Sequence, residues 1–94
     1  MKDDAFEWDD GKAAENYANH GIGFELAKQV FRDLFAVERL DDREDYGEDR
    51  FILIGIVEQL VLCVAYTERE GRIRLISARR ATKREQDDYF TQDG

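Results

Sequence analysis

Apolar positions along the chain fall into two regimes. Up to Leu34 they recur at spacings of three and four. From Arg50 to Ala78 they form continuous or alternating blocks. Phe6 and Trp8 flank Glu7 and predict a brief strand. Asp9 and Asp10 are N-cap candidates, so a helix is expected from about Gly11 to His20, closed by Gly21, the residue favoured for a left-handed cap. Phe24, Ala27, Val30, Phe31 and Leu34 share one face and predict a second helix from about Phe24 to Leu34. Gly21-Ile22-Gly23 leaves room only for a tight turn between the two.

Ala36 to Leu40 predicts a short strand, and the acid-dense segment from Asp41 to Asp49 an exposed loop. Arg50 to Val57 and Leu60 to Thr67, separated by Glu58-Gln59, predict a hairpin. Their near-continuous hydrophobicity implies that much of both sheet faces is covered. After a turn at Glu68 to Gly71, the last strand is expected from Arg72 to Ala78. Alternation places Ile73, Leu75 and Ser77 on one face and Arg72, Arg74 and Ile76 on the other. Thr82 and Glu85 form a capping box for a short helix from Lys83 to about Phe90. The expected fold is α+β. Two N-terminal helices pack on one face of an antiparallel sheet of about four strands, the face carrying Arg72 and Arg74 stays partly open, and a short C-terminal helix follows.

Length fits this picture: 94 residues make a single domain, 1–94, with one compact core. Charge complicates it. The net charge is −8, which opposes non-specific binding to nucleic acid. Yet seven of the 14 Lys and Arg lie between Arg69 and Arg84 against one acid, Glu70. A local cluster of that kind can still meet an anion, because salt screens the rest of the molecule beyond about 8–10 Å. Cys63 is alone in an apolar run, so neither an intrachain disulfide nor a thiolate metal cluster is expected. No apolar run is long enough for a signal region or a membrane span, and a cytoplasmic protein is expected.

Nothing matches a phosphate-binding glycine loop, a paired-histidine zinc motif or a nucleophile elbow. His20, the single histidine, is either a proton-transfer group or a favourable charge at a helix C-terminus. The arginines suit a different chemistry. Cutting RNA without a metal requires a base for the 2′-hydroxyl, cations for the phosphorane, and an acid for the leaving oxygen. Arg74, Arg79 and Arg80 are candidate cations, since a guanidinium donates in a fixed fork to phosphate. Glu48 or Glu68 is the candidate acceptor and Tyr66 the candidate donor. Alternatively, Arg79 and Arg80 pair with the acidic loop or open the last helix as solvated residues.

These residues also resemble a known family. Phe6-Glu7-Trp8-Asp9-Asp10-Gly11-Lys12-Ala13-Ala14-Glu15-Asn16, Asn19-His20-Gly21-Ile22-Gly23-Phe24-Glu25-Leu26-Ala27 and Val30-Phe31-Arg32-Asp33 are similar to the first half of BrnT-type toxins. Gly47-Glu48-Asp49-Arg50-Phe51, Val64-Ala65-Tyr66-Thr67-Glu68-Arg69 and the run from Ile73 to Glu85 are similar to the second. Two positions depart from the family pattern, Asn19 where Lys is usual and Gly23 where Ser is common. The resemblance implies a RelE-like fold and a ribonuclease toxin of a type II toxin–antitoxin system that needs no metal or other cofactor. It implies a DNA-binding antitoxin as partner, with DNA contacted only through that antitoxin, and no membrane. The site it implies has Glu48, Arg50, Tyr66, Arg74 and Arg79 as catalytic groups. Lys12, His20, Arg69, Arg72 and Arg80 are implied as RNA contacts. A second possibility is a weakly active or inactive relative that serves as a protein-binding module, its acidic loop facing a basic partner.

Overall fold

The computed structural model describes residues 1–92. Its sheet has five strands, β1 (Phe6–Glu7), β2 (Val37–Asp41), β3 (Arg50–Val57), β4 (Leu60–Arg69) and β5 (Arg72–Arg80), in the order β1-β5-β4-β3-β2. Strands β2 to β5 form the expected antiparallel meander. The strand count is corrected to five and the sheet to mixed, because β1 pairs in parallel with β5 through Phe6↔Ile73 and Glu7↔Arg74. That pairing joins segments far apart in sequence, which no local pattern announces.

Helix α1 (Asp10–His20) forms as its caps dictate. The Asp9 carboxylate accepts from the Lys12 N–H, and Gly21, at φ 70°, donates its N–H to the Tyr17 carbonyl. The second helix is shorter than expected: α2 covers Phe24–Ala27 and passes into a 3-10 turn over Lys28–Arg32. Gly23 has no side chain to cap it. Leu34 is 95% exposed, so the apolar face ends at Phe31. Asp33 then pulls the chain onto the sheet, accepting from the Ile56 N–H at 2.8 Å and the Tyr89 hydroxyl at 2.6 Å.

Alternation along β3 and β4 divides the core. Leu53, Val57, Leu62, Val64 and Tyr66 meet Trp8, Ile22, Phe24, Ala27 and Val30 under α1 and α2. Ile52, Ile54 and Cys63 face the other way and meet Ala81 and Tyr89. The helices therefore do not share one face, since α3 (Lys83–Phe90) covers the far end of the opposite side. Its capping box is as expected, with Thr82 and Glu85 bonded in both directions.

Strand β5 contains a bulge. Ala65 pairs with Ser77 but Tyr66 pairs with Leu75, so Ile76 is an extra residue and the alternation inverts beyond it. Ile73 and Leu75 pack in the α1/α2 core, and so does Ala78, whereas Ser77 turns to the other face. The strand also runs on to Arg80.

Candidate functional site

Where α3 leaves the second sheet face uncovered, β3, β4 and β5 each contribute one arginine. Arg50 precedes Phe51, Arg69 lies three residues past Tyr66, and Arg74 lies between Ile73 and Leu75. In each case the apolar neighbour turns into the α1/α2 core, which puts the guanidinium on the opposite side. Lys12 reaches the same place from the first turn of α1. With Asp9, Glu48, Leu75 and Ile76, these four cations line a cavity of about 170 Å³.

Glu48 sits among the cations. Arg50 Nε donates to its Oε2 at 3.4 Å, and Arg69 Nη2 lies 3.6 Å from its Oε1. Both contacts are long, and a phosphate can displace them. Arg74 is held more firmly, its Nη1 3.2 Å from Glu7 Oε2, an arrangement set by the β1–β5 register. The Arg50 guanidinium lies 4.0 Å from the centre of the Tyr46 ring, and the Tyr46 hydroxyl donates to buried Asp41 at 3.3 Å. Arg43 clamps the same carboxylate at 2.8 and 2.9 Å and holds it well below the ordinary range, at about 2. A buried anion at the end of β2 thus anchors the acidic loop that carries Glu48.

The structure therefore brings together Glu48, Arg50, Arg69, Arg74 and Lys12. His20 lies next to them, in a groove lined also by Lys12, Asn16, Ser77 and Ile76; Lys12 and Ile76 belong to both cavities. Arg72 serves the chain's own structure, its Nε donating to the Asp3 carbonyl at 2.7 Å. Arg80 stands exposed at the end of β5.

Two residues expected among the catalytic groups are placed elsewhere. Tyr66 is 5% exposed and packs against Phe31 and Phe51 in the α1/α2 core, with its hydroxyl donating to Glu38. Burial first, then Glu38, pushes its phenol further above the ordinary value. Alternation along β4 turns it away from Arg69. Arg79 lies within the strand rather than beyond it, and it forks onto Glu85 at 2.7 and 2.9 Å. The Arg79 hydrogen bonds hold the Glu85 carboxyl at about 2, while the Cys63 thiol beside it is pushed by burial to about 11. This network secures α3. Glu7 and Tyr46 are the site residues that sequence reasoning missed. Tyr46 is the lone aromatic of the acidic loop, a signal that was visible, whereas Glu7 is recognisable only once β1 pairs with β5.

A family model described as ribonuclease toxin, BrnT, of type II toxin–antitoxin system matches residues 8–85, a span that includes every cavity-lining residue named above. The chain belongs to the BrnT family. As a member it is a ribonuclease toxin, with RNA as its substrate class and an antitoxin as its partner. No curated protein matches the chain. No helix among the described residues is long and apolar enough to cross a membrane, and none of their His, Cys, Asp and Glu side chains form a group of three that could hold a metal ion.

Proposed function

We propose that this BrnT-family chain cuts RNA without a metal ion at the cavity between Lys12, Glu48, Arg50, Arg69 and Arg74. The observation that carries this reading is the convergence of four cations around one partly exposed carboxylate on an otherwise acidic molecule. A scissile phosphate displaces Glu48 from Arg50 and Arg69. The freed carboxylate takes the 2′-hydroxyl proton as O2′ bonds to phosphorus. The three guanidiniums and Lys12 balance the charge that grows on the phosphoryl oxygens. The P–O5′ bond breaks as O5′ receives a proton from His20 in the adjoining groove, leaving a 2′,3′-cyclic phosphate. Arg80, exposed at the rim of the sheet, contacts the RNA backbone at longer range.

In the same reading the protein acts in the cytoplasm and is neutralised by a DNA-binding antitoxin, through which it contacts DNA indirectly. One observation favours a second reading, a weakly active relative that works as a binding module. Arg50, Arg69 and Arg74 each already face a carboxylate of the protein. The two separate by experiment. Purified wild type cleaves RNA, and Arg50→Ala with Arg74→Ala abolishes cleavage while the chain stays folded by circular dichroism. RNA left intact by wild type at every concentration rejects the enzymatic reading.

A further inference from the structure

Among the described residues, strand β2 ends the sheet order and has no neighbour on its outer side. Alternate residues of Val37–Asp41 therefore turn N–H and C=O groups outward, an edge that pairs readily with another extended chain. The two ends of this edge differ in chemistry. At the start of β2 stand Leu34, 95% exposed, and Phe35, 63% exposed, and near the end of α3 Phe90 is 63% exposed, its ring against that of Tyr89. Gln92 ties the end of α3 to the chain entering β2, its Nε2 donating to the Phe35 carbonyl at 2.7 Å and the Tyr89 carbonyl at 2.8 Å. None of the three belongs to either core, so folding does not account for their presence at the surface.

The far end of β2 is anionic. Asp41 is occupied by Arg43 and Tyr46, but Asp42, Glu44 and Asp45 are exposed beyond it. Five residues of strand separate the apolar group from these acids, roughly 17 Å at 3.3–3.4 Å per residue. A second copy of the chain does not suit this edge. Two-fold antiparallel pairing sets the acidic loop of each copy against the apolar end of the other, and both copies carry a net charge of −8.

We propose that β2 receives an extended segment of a basic protein partner as a sixth strand. Its apolar side chains rest on Leu34, Phe35 and Phe90, and its Lys and Arg side chains lie over Asp42, Glu44 and Asp45. Backbone pairing supplies affinity, and the apolar-to-anionic polarity of the edge sets the direction of the incoming strand. That the antitoxin supplies this segment rests on the proposed function; the docking edge itself does not.

The test titrates a synthetic peptide, Val-Ile-Val at one end and Lys-Arg-Lys at the other with three residues between, into the isotope-labelled full chain. Amides of Val37–Asp41 gain protection from hydrogen exchange. Binding falls at least about tenfold in Phe35→Asp, in Phe90→Asp and in the triple change of Asp42, Glu44 and Asp45 to Lys. The same peptide with Glu in place of its cations does not bind. No binding at about 1 mM, binding without protection in β2, indifference to Phe35→Asp and Phe90→Asp, or self-pairing of the chain through β2 each overturns the proposal. RNA cleavage plays no part in this test, so its failure leaves the ribonuclease reading standing, and loss of that reading leaves the edge intact.

Discussion

The side-chain amide of Asn16 pairs with the backbone of Ala78 in both directions, Nδ2 donating to the carbonyl at 2.8 Å and Oδ1 accepting from the N–H at 3.1 Å. One residue of α1 thus docks on β5 as a neighbouring strand would. The same Nδ2 also reaches the Ile22 carbonyl at 3.0 Å, which fixes the turn after the helix. This contact positions Lys12, one turn earlier on α1, over the cation cluster. Asn16→Ala strands buried backbone groups and should cost about 2–4 kcal/mol, measured by urea denaturation. A loss below about 0.5 kcal/mol contradicts the account.

Gly55 is needed for space rather than for backbone freedom. A Cβ there would lie 2.9 Å from Val30 Cγ1 and 3.0 Å from Asp33 Oδ2. Val30 is fully buried and Asp33 is tied to Ile56, Phe35 and Tyr89, so neither yields cheaply. Gly55→Ala is expected to destabilise by about 1–3 kcal/mol, seen as a lower Tm. An unchanged Tm contradicts the packing described.

Arg79 and Glu85 form a stability device. Arg79 is 38% exposed and its charge partly screened, so Arg79→Ala should cost about 1–2 kcal/mol. Cleavage per folded molecule should change little, because Glu85 and the start of α3 lie away from the cavity. Acid has a related effect. The Glu85 carboxyl is lowered from 4.5 to about 2 by the Arg79 hydrogen bonds, and that of Asp41 from 3.8 to about 2 by Arg43. A depressed carboxylate contributes its full stability above its unfolded value and loses it as pH falls through the folded one. Stability should therefore fall as pH drops from about 4.5 towards 2. In Arg79→Ala the Glu85 share of that slope should be missing. An equal slope in the variant contradicts the pairing.

Local chemistry made much of this legible. Asp9 and Gly21 delimit α1, Thr82 and Glu85 start α3, and the apolar runs of β3 and β4 mark a sheet covered on both sides. What escaped depends on distant partners. The bulge at Ile76 interrupts an alternation that the sequence continues smoothly through Ser77. The parallel contact of Phe6 with Ile73 has no local sign. The early end of α2 reflects Asp33 finding Ile56 and Tyr89 across the sheet. At the site, Arg50, Arg74 and Glu48 were identifiable by residue type and resemblance. Tyr66 is separated from them by the face it occupies, whereas Arg79 shares their face and is separated along β5, where Glu85 of α3 takes it. For Tyr66 that was readable, since Leu62 and Val64 share its parity and Arg69 does not. For Arg79 it was not, because alternation without the bulge at Ile76 puts it on the face opposite Arg74, and its loss to Glu85 depends on where α3 lies.

The most direct measurement of the central claim is cleavage of a short synthetic RNA by the purified chain in excess chelator, beside the same RNA with 2′-deoxyribose at the scissile position. Metal-free attack by the 2′-hydroxyl predicts a rate unchanged within about twofold by chelator, a 2′,3′-cyclic phosphate end, and no cleavage of the deoxy substrate. Arg50→Ala with Arg74→Ala should lower the rate by about 10²-fold or more. Cleavage that chelator abolishes, or that cuts the deoxy substrate equally well, contradicts the account.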